Sequence, residues 1–167
     1  MPDIICPLFE LPDYSGLIDQ LASEGITIRA ARPWEREALR TFVTERWDIG
    51  WADEASLGLA RVPVSILLAL KENKIIGFSA YEVSAPAYFG PTGVDTAFRG
   101  LGVGKALLYR AMDGLRELGY VYGFVGSPGP TDFYLKAMKG MSLPADWKNI
   151  YTGATRISAV ECQSSEG

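Results

Sequence analysis

The amino-acid sequence predicts one α/β (α+β) domain, a mixed sheet with helices packed on it, and three observations carry that prediction. The chain has 167 residues, 48% of them apolar, which suits one ordinary domain that closes a sizeable core without disulfides. Short apolar runs of strand type alternate with segments whose apolar residues recur every three or four positions. A turn with three alternate glycines, Gly100, Gly102 and Gly104, joins one such strand to the strongest helical pattern. The expected partition is an N-terminal extension over residues 1–24 (a strand plus a helix), a folded unit over 25–157, and a polar tail over 158–167.

The elements follow in order. Ile4 to Leu8 is a short apolar run, Pro12-Asp13 turns the chain, and Ser15 to Ser23 reads as a helix stopped by Gly25. Ile26-Thr27-Ile28 alternates as a strand does, and Pro33 opens a helix carrying Leu39, Phe42, Val43 and Trp47. Val64 to Leu70 and Ile75 to Val83 form an expected hairpin across the polar turn Lys71-Glu72-Asn73-Lys74. Tyr88 to Val94 has strand-type residues interrupted by Gly90, Pro91 and Gly93. Proline cannot donate to a ladder and a strand glycine marks a bulge or a close approach, so this strand is expected to be broken or splayed.

Gly102 to Leu118 is the best helix, with Val103, Leu107, Ala111, Leu115 and Leu118 on one face and Gly119 as its stop. Tyr120 to Val125 reads as a buried strand. Ser127 as cap and Pro128 at the first helical position then start a second helix that Gly140 ends. Met141 to Ile157 is expected to supply two short strands, and Ser158 to Gly167 a frayed end.

Charge and cysteine count narrow the function classes. Sixteen Lys and Arg against 20 Asp and Glu leave a net charge of −4, without the basic footprint that a nucleic-acid backbone requires, so nucleic acid is not an expected partner. The chain has no histidine, and Cys6 and Cys162 stand near opposite ends. Neither a metal site nor a disulfide framework is expected, and both cysteines read as a small core residue and a tail residue. Met1-Pro2-Asp3 opens no signal peptide and no run of apolar residues is long enough to span a bilayer, so no membrane partner and a cytoplasmic location are expected.

The stretch from Val94 to Leu108 carries the chemistry. With no Cβ atoms at 100, 102 and 104, several backbone N–H groups can turn toward one point at a helix N-terminus, where the helix dipole adds partial positive charge. Arg99 and Lys105 flank that point, so a diphosphate could be held on a chain that is negative overall. A Walker A loop fails, because the positions for its first Gly and its Ser/Thr hold Arg99 and Ala106; a dinucleotide fingerprint fails on the spacing of its third Gly. What remains is Arg-x-x-Gly-x-Gly, met by Arg99, Gly102 and Gly104.

On that motif and on the element order over roughly residues 26–157, the sequence resembles the GNAT superfamily of acyl-CoA-dependent N-acetyltransferases. The resemblance implies a mixed, mostly antiparallel sheet with a bulged, splayed central strand and helices on both faces. It implies acetyl-CoA as acyl donor. The pantetheine arm would lie along the backbone of Thr92, Gly93 and Val94, and the diphosphate would be held by Arg99, Gly100, Leu101, Gly102, Val103, Gly104 and Lys105. Ser127 takes the place of an Asn that often touches the cofactor. Chemistry in the family is direct attack of an amine on the thioester in a ternary complex, with a Tyr in the helix after the fifth strand giving a proton to the departing thiolate; this falls on Tyr134, beside Phe133.

The base stays open between Glu82, Asp95 and a water relay. Trp47, Asp48, Trp51, Asp53 and Glu54 form an aromatic and acidic cluster that would suit a cationic amine, set against plainer readings of the tryptophans as core and of Asp53 and Glu54 as a solvated face. The expected function is transfer of an acetyl or short acyl group to a primary amine of a small molecule or peptide, with a homodimer left open. The alternative is an acyl-CoA-binding module without turnover.

Overall fold

The computed structural model describes residues 1–154. In chain order its elements are β1 (Ile4–Pro7), α1 (Ser15–Ser23), β2 (Ile26–Ala30), α2 (Arg36–Arg46), α3 (Ile49–Ser56), β3 (Ile66–Lys71), β4 (Lys74–Tyr81), β5 (Tyr88–Val94), α4 (Val103–Glu117), β6 (Tyr122–Val125), α5 (Thr131–Met138) and β7 (Met141–Ser142). The strands form one sheet in the order β2-β3-β4-β5-β6-β1-β7. Every pairing is antiparallel except β5 with β6. Among the described residues no helix is long and apolar enough to cross a membrane.

Two cores lie on the two faces of this sheet, and the alternation of β3 shows the division: Leu67 and Ala69 enter one core, Ile66 and Leu68 the other. On the first face α4 buries Val103, Leu107, Leu108, Ala111 and Leu115 against Ile4, Cys6, Phe89 and Val125, with Tyr134 and Met138 of α5. On the second face Leu39, Phe42 and Val43 of α2, with Ala52 and Ala55 of α3, cover Phe78 and Ala80. The β3–β4 turn is tight, and Glu72 and Asn73 at its centre both have positive φ, 49° and 61°, which matches the right-handed twist of a two-residue hairpin.

Three sequence expectations change. The N-terminal strand is no peripheral addition: β1 lies inside the sheet, bonded to β6 on one side and β7 on the other. Among the described residues only Met141–Ser142 forms a strand after α5, and the place beside β6 is filled by β1; residues 155–157, the tail 158–167 and Cys162 lie outside the described residues. The helix expected from Ser127 starts instead at Thr131 and ends at Lys139, with φ 49°, rather than at Gly140. Its start is delayed because each proline pushes the residue before it out of the helical region, so Pro128 and Pro130 keep Ser127 and Gly129 in the connection. The helix α3 was not anticipated; Asp48 caps it, accepting the Trp51 N–H at 2.8 Å.

Candidate active site

The turn before α4 is built for an anion. Asp95 caps a short 3-10 turn over Thr96–Phe98 by accepting the Ala97 N–H at 2.9 Å. The chain then passes Arg99, whose Nε donates to the Val94 C=O at 3.3 Å. Gly100 and Gly102 stand at φ 81° and 91°, a left-handed backbone that costs a side-chain-bearing residue about 1–2 kcal/mol. Gly102 is the residue that precedes the first turn of α4 and offers no side-chain cap. Among the described residues, the N–H groups of Gly100, Leu101, Gly102, Val103, Gly104 and Lys105 donate to no backbone or side-chain acceptor; the first regular helical bond is from Ala106 to Gly102, at 3.0 Å. Six consecutive unpaired amides at a helix N-terminus, beside the exposed side chains of Arg99 and Lys105, fit a diphosphate.

Next to that turn, β5 leaves β6. The two strands pair only at Tyr88↔Phe124 and Phe89↔Val125, while β5 continues along β4 through Thr92, Gly93 and Val94. Opposite Ala80 the ladder slips: Ser79 faces Thr92 and Tyr81 faces Phe89, so Gly90 and Pro91 form the bulge that turns β5 away. The Asp95 N–H bonds to the Ile76 C=O at 2.8 Å. By antiparallel alternation Gly93 therefore also faces β4, and the peptide groups of Thr92 and Val94 face the opening between β5 and β6. Gly93 has a second reason to be glycine, because a Cβ there would stand 2.3 Å from the Trp47 ring.

Tyr134 lies on α5 at the closed end of this opening. Its ring meets Phe89 and Phe133 edge-on, with centroids at 6.1 and 5.1 Å, and only 7% of the residue is exposed. Burial, with a smaller contribution from the neighbouring Cys6, pushes its phenol up to about 12. Ser127 is exposed with φ 45°, and its N–H is taken by the Asp3 carboxylate at 2.9 Å, which leaves its hydroxyl and C=O to face a ligand.

With this geometry in place, the comparisons decide the family. The model of the acetyltransferase (GNAT) family matches residues 28–135. The chain belongs to that family. No curated protein matches it. Among solved structures, it is similar to the GCN5-related glucosamine N-acetyltransferase region of a fungal multi-domain GH3 β-N-acetylglucosaminidase, at TM-score 0.68 and 18% identity over 85% of this chain and 19% of that one. An aminoglycoside acetyltransferase from an uncultured soil metagenomic sample, in complex with trehalose, superposes at TM-score 0.57 and 19% identity over 75% of this chain and 95% of that one. A GNAT family acetyltransferase from Brucella melitensis in complex with acetyl-CoA does so at 0.51 and 16%, over 74% and 91%. The chain spans about a fifth of the fungal protein and 48% of a GCN5-related N-acetyltransferase from Sphaerobacter thermophilus. These similarities describe the fold, a mixed sheet with helices on both faces, which this chain shares.

The carboxylates of this GNAT-family chain divide by what they touch. Glu82 accepts the Ala87 N–H and holds the β4–β5 connection, while its own C=O receives Arg61. Asp95 caps its turn and receives Arg46 Nε at 2.7 Å; the Ala97 N–H first, and Arg46 after it, hold its carboxyl below the usual carboxylate range. Both have structural partners that a proton acceptor would have to give up. Asp53 is exposed and paired with Arg40. Glu54 departs from the solvated-face reading: half-buried on α3, it accepts the Ser84 hydroxyl and, at 3.2 Å, the Tyr151 hydroxyl, and Ser84 Oγ lies 3.4 Å from the Gly90 C=O at the bulge.

Trp47 and Trp51 stack with centroids 6.1 Å apart and an interplanar angle of 17°, on the face of β5 that Gly93 leaves open. The sequence marks Glu54 only as one member of an aromatic and acidic cluster, because its spacing from Trp51 on one helix face depends on α3, which the sequence pattern does not predict. A cavity of about 370 Å³ lies beside Arg46, Trp47, Val94, Asp95 and Arg99. Two wider grooves of about 700 Å³ lie away from the turn, one at Tyr14 and Arg110, the other at Trp34. Among the described residues no group of side chains is arranged to hold a metal ion.

Proposed function

We propose that this acetyltransferase moves an acetyl or short acyl group from acetyl-CoA to a primary amine of a small molecule or peptide. The observation that carries the reading is the row of six unpaired amides from Gly100 to Lys105 at the mouth of the opening between β5 and β6. Acetyl-CoA supplies the thioester that the amine attacks. The amides and the side chains of Arg99 and Lys105 hold the diphosphate, while the peptide groups of Thr92 and the Val94 N–H line the opening in which the donor's arm is positioned. The aromatic pair Trp47–Trp51 and the Glu54 carboxylate suit an ammonium group on the α2–α3 side, where a water relay takes the proton the amine must lose. Tyr134 keeps its proton at neutral pH and donates a hydrogen bond toward the sulfur side, which stabilises charge as it develops there.

By their names, the fungal region acetylates glucosamine and the metagenomic enzyme acetylates aminoglycosides, which makes amino sugars the first arm of an acceptor screen. The experiment follows free thiol with acetyl-CoA and amino sugars, polyamines, amino acids and peptide N-termini. The expected result is saturable, acceptor-dependent thiol release with at least one class. Tight CoA binding with no acceptor-dependent release from any class would contradict the reading.

A further inference from the structure

The family match begins at residue 28, so it assigns nothing to β1 and α1. Both nevertheless reach the site. Leu17 of α1 packs at the anion turn, 2.9 Å from where a Cβ on Gly102 would stand. At the other end of the opening, Asp3, immediately before β1, is 4% exposed. Its Oδ1 accepts the Ser127 N–H at 2.9 Å, and its Oδ2 accepts the Tyr88 hydroxyl at 3.0 Å and the Ile150 N–H at 3.2 Å. Its own C=O accepts the Leu143 N–H at 2.8 Å.

These donors come from separate segments that meet where β5 and β6 part: the first residue of β5, the second residue past β6, and the connection that carries Tyr151. Burying a carboxylate is costly unless hydrogen bonds replace its water, and here neutral donors do so, since among the described residues Asp3 pairs with no cation. One of those donors belongs to Ser127, held at φ 45° just before the prolines that lead into α5. Three residues along β1, Cys6 lies in the same core as Tyr134.

We infer that Asp3 is a positioning residue for acetyl transfer: from the N-terminal strand it fixes how β5 and β6 part and the direction in which the chain leaves Ser127 toward Tyr134. The inference rests on the reading of that opening as the acyl site. Asp3 does not touch the anion turn, where the row of amides holds the diphosphate, so its loss should lower turnover far more than it weakens donor binding.

The test compares kcat, corrected for folded fraction, with the Kd of CoA in Asp3→Ala, Asp3→Asn, Tyr88→Phe and Leu8→Ala. Leu8, fully buried beyond β1, bonds its N–H to the Val121 C=O at 3.0 Å and packs beside Gly123, and serves as a stability control. Asp3→Ala should lower kcat about tenfold or more with CoA affinity within about twofold of wild type, Asp3→Asn and Tyr88→Phe should fall between, and Leu8→Ala should keep its kcat. If Asp3→Ala does not fold, Asp3→Asn and Tyr88→Phe carry the comparison. Retention of kcat in the Asp3 variants, or a parallel fall of kcat and CoA affinity, would overturn the inference. Tyr134→Phe measured alongside keeps the two readings apart: a wild-type rate there removes the role of Tyr134 and leaves the split between kcat and CoA affinity to judge Asp3.

Discussion

Tyr134 is protonated far above neutrality because its phenol is packed among Phe89, Phe133 and the first-face core, away from water. Two outcomes follow. The rate should show no alkaline loss from this group until pH nears about 12, and Tyr134→Phe should slow thiol release with CoA affinity unchanged. The linkage is also defined in sign. Between the ordinary 10 and about 12 the folded state keeps a proton that the unfolded chain has lost, so the stabilisation is complete below 10 and disappears as pH rises through about 12. The unfolding free energy from denaturant titrations across that window should fall more in the wild type than in Tyr134→Phe, by an amount on the order of 2–3 kcal/mol.

At Glu54, replacement by Gln should raise the KM for the amine about tenfold or more and leave the Kd of CoA unchanged; a change in CoA affinity alone would remove it from the acceptor side. Residues of this kind differ in how far the sequence reveals them. Arg99, Gly102 and Gly104 are legible because their chemistry is local and their spacing is contiguous. Glu54 and Asp3 are not, since each acts on partners 30 or more positions away.

Among the elements, the turn and α4 carry the donor reading. A Cβ on Gly104 would meet only Val94 Cγ2, at 3.6 Å, so the backbone there tolerates a side chain. Gly104→Glu should therefore fold normally while its carboxylate enters the ring of amides and abolishes CoA binding in calorimetry; retained affinity would mean that the turn does not hold the diphosphate. The bulge in β5 was readable from Gly90-Pro91 because proline's missing donor is a property of one residue. The start of α5 was not, because Ser127 with Pro128 carries the signs of a helix start, and the Pro130 two residues on, together with the Asp3 tether, outweighs them. The helix α3 is short, with aromatic, acidic and glycine residues but little periodicity, and its start depends on the Asp48 cap.

Over the whole molecule, strand types and their neighbours in sequence were legible, whereas the place of β1 between β6 and β7 was not. A four-residue apolar run carries no mark of its partners, and these lie more than a hundred positions away. A domain of this size that binds donor in its native state alone should gain about 4 kcal/mol when the ligand is at a thousand times its Kd, seen as a rise of several degrees in Tm with acetyl-CoA. An unchanged Tm at saturating acetyl-CoA would count against donor binding.

The most direct test is a titration of the isotope-labelled protein with CoA, following the backbone amide resonances by NMR. The amides of Gly100 to Lys105 should show the largest shifts and saturate together, with those of Thr92 and Val94 following. If CoA binds while the resonances of Gly100 to Lys105 stay in place, the diphosphate is held elsewhere and the account is contradicted.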